Sequence, residues 1–123
     1  MFCSCTKGVI TIQTGRYVAR TPSEFEFWKF KITSGVNCKV WGDSSEILTI
    51  DSDSITRIIR DKLIFKVKYK IINDEIITSS DSFQIKYIVK PHAMYYLLKP
   101  KAMCDGNKPV NYYCLKKYIY IGR

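Results

Sequence analysis

The stretch Lys62–Ile72, KLIFKVKYKII, constrains this chain more than any other. Leu63, Phe65, Val67, Tyr69 and Ile71 take one parity, and Lys62, Ile64, Lys66, Lys68 and Lys70 take the other. Successive side chains of a strand point to opposite faces, so the pattern predicts a strand with one apolar and one lysine-rich face. A helix would scatter the lysines around its circumference. Several other strand-like stretches also carry Lys or Arg opposite their apolar side chains. A basic sheet surface is therefore the strongest functional signal in the chain.

The chain has 123 residues, the length of one domain, with enough material for one core. A hydrophobic content of 46% excludes a disordered chain, and abundant Ile, Tyr and Phe beside scarce Ala favour sheet over helix. The formal net charge of +9 is spread along the strands. Such an excess points to a polyanionic partner, nucleic acid or an anionic surface, the plain alternative being a well-solvated basic protein. No apolar run follows Met1–Cys5, and none approaches the ~20 residues that span a bilayer, so a cytoplasmic protein without membrane contact is expected. The five cysteines, Cys3, Cys5, Cys38, Cys104 and Cys114, then read as free thiols. Cys3, Cys5, Cys104 and Cys114 could supply four thiolates to zinc, but their spacing is not that of a zinc knuckle. Cys38 alternates with Val36 and Val40 and reads as a small core residue.

Along the chain, Gly8–Arg20 reads as a long strand, with Gly15 marking a bulge or bend, and Pro22 ends it. Glu24–Thr33 (EFEFWKFKIT) is predicted as a second strand whose alternation slips between Phe27 and Trp28, Trp28 being buried with Phe30 and Ile32. Ser34-Gly35 signals a turn. Val36–Asp43 is the third strand, with Val36, Cys38 and Val40 facing the core and Asn37, Lys39 and Trp41 facing away. A short apolar piece, Glu46–Ile50, follows. Then Ile55, Ile58 and Ile59 have the spacing of a short one-sided helix over Ser54–Arg60, capped by Asp51-Ser52-Asp53-Ser54. After the Lys62 strand come a turn at Asn73-Asp74-Glu75, a minor strand over Ile76–Thr78, and the alternating strand Ser82–Lys90 closed by Pro91-His92. Met94–Leu98 is an apolar piece, Asp105–Pro109 a loop, and Tyr112–Ile121 a terminal strand.

Over residues 9–90 this order resembles the five-stranded oligonucleotide-binding barrel. WKFKITSGVNCKVWGDSSEIL (Trp28–Leu48) is similar to the strand 2–turn–strand 3 passage of its replication-type domains. The resemblance implies a mainly β fold: a small five-stranded barrel or curved antiparallel sheet with one short helix. Residues 1–123 form a single domain, 9–90 its barrel-like core and 91–123 a C-terminal strand extension without counterpart in a minimal barrel. It also implies non-catalytic binding of single-stranded DNA or RNA on the face of strands 2 and 3. Carried onto this sequence, that face holds Phe27, Lys29, Lys31, Lys39 and Trp41. Arg16 and Arg20 extend it from the first strand, and Lys66 and Lys68 add the lysine row. Aromatic rings stack bases while interleaved lysines neutralise phosphates.

The alternative expectation is a structural or protein-interaction module, such as a viral one. Its Tyr-rich C-terminal third would form the interface, for a host protein or for homo-oligomerisation. Catalysis is not expected. His92 stands alone beside Pro91, and Asp51-Ser52-Asp53 lacks the central Gly and terminal Glu of a calcium loop. Helix capping accounts for two of the four carboxylates Asp43, Glu46, Asp51 and Asp53 that could hold Mg2+. Neither a cofactor nor a metal is expected.

Overall fold

A computed structural model of the chain describes residues 12–79, 85–98 and 113–123. Its elements are β1 (Gly15–Arg20), α1 (Glu24–Ser34), β2 (Val36–Lys39), β3 (Glu46–Ile50), β4 (Ser54–Ile59), β5 (Lys62–Ile72), β6 (Glu75–Ser79), β7 (Lys86–Lys90), β8 (Ala93–Leu98) and β9 (Tyr113–Gly122). From β3 to β9 each strand pairs antiparallel with the next, and β9 pairs antiparallel with β1, which also pairs with β3. The result is a closed barrel of eight antiparallel strands. Closure removes the open edges that would otherwise recruit foreign strands.

The turns between staves are tight because the residues there tolerate a left-handed backbone. Arg60 and Asp61 (φ 50 and 64) join β4 to β5, and Asn73 and Asp74 (φ 50 and 65) join β5 to β6. Positive φ at both central residues is the pattern of the hairpin turn whose twist matches its strands. At the closure, a Cβ on Gly15 would lie 2.8 Å from the Gly122 carbonyl oxygen, and Gly15 itself has φ 137. Only glycine fits there. The β1–β9 register shifts between Arg16 and Tyr17, beside that residue.

The barrel is filled by side chains, as eight strands allow. Tyr17, Leu48, Ile50, Ile55, Ile76, Tyr87, Val89, Met94 and Tyr118 are buried in one cluster, with Phe65, Val67 and Tyr69 of β5 packed against it. Rings meet edge-on or tilted, Tyr17 on Tyr120 at 5.1 Å and Tyr87 on Tyr118 at 6.2 Å between centroids. Glu46 is also inside, 4% exposed. Its carboxylate accepts from Arg57 Nε and Lys116 Nζ, each at 2.8 Å, and from the Tyr118 hydroxyl. Burial alone would raise the Glu46 pKa, but these three donors outweigh it and hold the group below the ordinary carboxylate range. Burial pushes the Lys116 ammonium down even beside that carboxylate.

Several expectations are corrected here. The fold is mainly β with one short helix, but the barrel has eight strands rather than five. The helix is α1, over the stretch expected as the second strand. The Ser54–Arg60 segment expected as a helix is instead β4. The described residues beyond 91 form staves β8 and β9 rather than an extension, and Tyr118 and Tyr120 line the interior rather than an outer interface. Cys38 and Cys114 form a disulfide with Cα atoms 4.4 Å apart, within the usual span of such bridges. These two are not free thiols, and a four-thiolate zinc site loses Cys114; Cys3, Cys5 and Cys104 lie outside the described residues. The first part of the expected Gly8–Arg20 strand and of Ser82–Lys90 also lies outside them, as does the Asp105–Pro109 loop. No helix among the described residues is long and apolar enough to cross a membrane.

Removing one partner from a buried charge cluster leaves the others uncompensated. Glu46→Ala should therefore cost about 3–5 kcal/mol of folding stability in urea denaturation. Arg60→Ala breaks only an exposed 3.9 Å pair with Asp43 and should leave the urea midpoint nearly unchanged.

Candidate nucleic-acid interface

The sequence SEFEFWKFKITSG makes α1 through its two ends. Ser23 Oγ accepts from the Glu26 backbone N–H at 3.1 Å, and Glu26 Oε1 accepts from the Ser23 N–H at 2.8 Å, a reciprocal capping box. Gly35, in the left-handed region at φ 72, returns its N–H to the Lys31 carbonyl at 3.1 Å and stops the helix.

One face of α1 lies on the outer wall of the barrel. Phe27 and Phe30 pack on Val36, Ala93, Tyr95 and Leu115, with the Phe30 and Tyr95 rings 4.9 Å apart. Between them, Glu26 accepts from Lys117 Nζ at 2.8 Å and from the Tyr95 hydroxyl. Burial would raise the Glu26 pKa, but the bonds from Lys117, Tyr95 and Ser23 bring it down to about 2. The opposite face is apolar and open: Phe25 is 77%, Trp28 53% and Ile32 81% exposed. Lys31 Nζ sits 4.9 Å above the Trp28 ring.

β2 ties α1 to the barrel a second time. It runs parallel to β9 along Tyr113–Leu115, the part of that edge β1 does not reach, and carries the Cys38–Cys114 bridge. So held, α1 forms one wall of a groove whose other wall is β7. A cleft of about 460 Å3 is lined by Phe25, Lys29, Phe30 and Thr33 of the helix and by Ile88 and Lys90 of β7, with Glu26 and Tyr95 at its floor. A second cleft, about 570 Å3, continues past Ile88 to Lys86, Glu75, Ser34 and Tyr113.

The lysine face of β5 leads into that groove. Lys66, Lys68 and Lys70 are exposed on the outer wall. Lys70 pairs in register with Ile77, and Ile77 with Lys86, so one row crosses β5, β6 and β7 on the same face. Strands are ~4.8 Å apart, which sets Lys70 and Lys86 about 10 Å from one another. Among the described residues, none of Lys29, Lys66, Lys68, Lys70, Lys86 and Lys90 pairs with a carboxylate.

The residues singled out from the sequence do not form the single sheet face expected of them. Lys29 lines the groove, and Lys66 and Lys68 stand on the band beside it. Phe27 is turned under the helix, and Lys31 lies over the Phe27 and Trp28 rings. Lys39, at the end of β2, is bound to Glu24. Arg16 and Arg20 are exposed on β1, on the far side of β9 from β8. Trp41 is 85% exposed in the loop after β2, where the Gly42 N–H donates to Thr21 Oγ1 at 2.8 Å. Trp28, expected in the core, is on the helix's outer face. The Lys70–Ile77–Lys86 row is invisible in the sequence because it appears only when β6 is paired, and Lys90 joins the groove only through the placement of α1 beside β7. His92 is exposed in the β7–β8 turn with φ 64, and among the described residues no group of acidic, Cys or His side chains could hold a metal ion.

The depressed Glu26 pKa has a pH consequence. Its stabilising contribution is fully present above the unfolded value of 4.5 and is lost as pH falls through that value toward about 2. The melting temperature should drop across that window, and Glu26→Gln should flatten the part of the drop that this carboxylate causes. No protein-family model, curated protein sequence or solved structure matches the chain.

Proposed function

We propose that the protein binds single-stranded nucleic acid without catalysis, along the lysine band of β5–β7 and into the groove beside α1. The observation that carries this reading is the Lys70–Ile77–Lys86 row, which joins the β5 lysines to the groove on one outer wall. Cations with carboxylate partners, such as Lys116, Lys117 and Lys39, have their charge answered within the fold. The band has no such answer among the described residues and suits a chain of phosphates. Aromatic rings in and beside the groove, Phe25, Phe30 and Tyr113, add surfaces on which unpaired bases stack irrespective of sequence.

One observation favours a second reading, a protein-interaction module. The exposed stripe of Phe25, Trp28 and Ile32 is the kind of apolar surface that marks a protein contact. It would replace the C-terminal tyrosines as the interface of that module.

Titration of a labelled oligonucleotide at several salt concentrations separates the two. Binding through the band should weaken with salt at a log–log slope of roughly −0.7 per phosphate neutralised. The double variant Lys70→Gln/Lys86→Gln should weaken binding and flatten the slope by about 1.4, two contacts' worth, whereas Arg16→Gln should leave the slope nearly unchanged. Absence of binding at low salt would leave the interaction module as the better account.

A further inference from the structure

We infer that the cleft of about 460 Å3 between α1 and β7 is a pocket for one unpaired nucleobase, whose 5′-phosphate is held by Lys29 and Lys90. This rests on the nucleic-acid reading and adds to it a discrete site. Its volume lies within the range of pockets that enclose small ligands. Its walls are mainly apolar: Phe25 and Phe30 on the helix flank, Ile88 on β7 and the Tyr95 ring at the floor. At its rim stand two exposed lysines from different elements, neither paired with a carboxylate among the described residues. An apolar slot with cations at the mouth is complementary to a ligand with a flat apolar body and an anionic end, as a nucleotide has.

Glu26 does not repel that phosphate, because its charge is answered by Lys117 and by the Tyr95 hydroxyl. With the Ser23 N–H these donors take three of the carboxylate's four acceptor positions, leaving it little capacity to read a base edge. Thr33 Oγ1 donates its one proton back to the Lys29 carbonyl at 2.9 Å and is left only as an acceptor. The pocket therefore takes a base as a stacking surface, tolerates any of the four, and cannot admit a base that is still paired within a duplex.

Calorimetric titration with adenosine 5′-monophosphate and uridine 5′-monophosphate, with adenosine and inorganic phosphate as separate probes, tests this. Both nucleotides should bind, adenosine should bind more weakly, and inorganic phosphate should fail to displace them at equal concentration. Phe25→Ala should raise the nucleotide Kd by about five- to 150-fold, the range of a lost stack. Its melting temperature should not move, since Phe25 is 77% exposed. Lys90→Gln should weaken the nucleotides and leave adenosine unchanged. Displacement by phosphate as effective as by nucleotide, or an unchanged Kd in Phe25→Ala, would overturn the base pocket. If an oligonucleotide binds with its full salt slope while neither nucleotide binds, the pocket falls and the wider reading stands. If neither binds, both fall.

Discussion

Two adjacent lysines on β9 set most of this architecture. Successive strand residues point to opposite faces, so Lys116 enters the barrel and Lys117 leaves it. A buried ammonium is tolerated only when paired and hydrogen-bonded, and Glu46 at the start of β3 supplies that pairing inside. Arg57 and Tyr118 complete the coordination of the carboxylate, so β3, β4 and β9 are joined through one group. Outside, Lys117 is met by Glu26, which arrives on the first turn of α1. The first contact helps close the barrel. The second decides which staves the helix covers and therefore where the groove lies.

That arrangement divides the cations into two populations. Lys116 and Lys117 of β9, with Lys39 and Arg57, end on carboxylates and belong to the fold. Those on β5 and β7 stand on the outer wall of three consecutive staves and have no carboxylate partner among the described residues. Like charges so placed repel one another, a cost that screening by salt reduces and a polyanion would reverse. The net charge of +9 is thus less informative than its placement.

The sequence made the bounds of β5 legible, because Lys66, Lys68 and Lys70 alternating with Phe65, Val67 and Tyr69 leave no other period to fit. It misled over α1 because both faces of that helix are apolar, Phe27 and Phe30 toward the barrel and Phe25, Trp28 and Ile32 toward solvent. With so little contrast between faces, periodicity carries no signal; the legible cue was Ser23-x-x-Glu26 with Gly35 beyond. β4 misled for the opposite reason. Its register with β3 is unbroken and puts Arg57 on the interior face with Ile55 and Ile59, leaving Ile58 outside, so its apolar residues alone fall at the i, i+3, i+4 spacing of a helix. The β-branched residues of SITRII favoured a strand all along. The disulfide was not legible at all, since 76 residues separate its cysteines and only the parallel pairing of β2 with β9 brings them together.

The groove depends on how α1 is fixed, and three attachments of different physics hold it. Apolar burial of Phe27 and Phe30 is insensitive to salt and pH, the Glu26–Lys117 contact responds to acid, and the Cys38–Cys114 bridge is covalent. Closing a loop of 76 residues restricts the unfolded chain by about 4–5 kcal/mol on the chain-entropy account. The bridge acts through β2, just beyond the C-terminal cap of the helix, while Glu26 acts at its N-terminal turn. A wall pinned at both ends would leave little ordering to be done were a ligand to enter, so its binding energy would not be spent on assembling the site. The helix can therefore leave Phe25 and Lys29 outward on an exposed flank and still present them in a fixed position to whatever occupies the cleft.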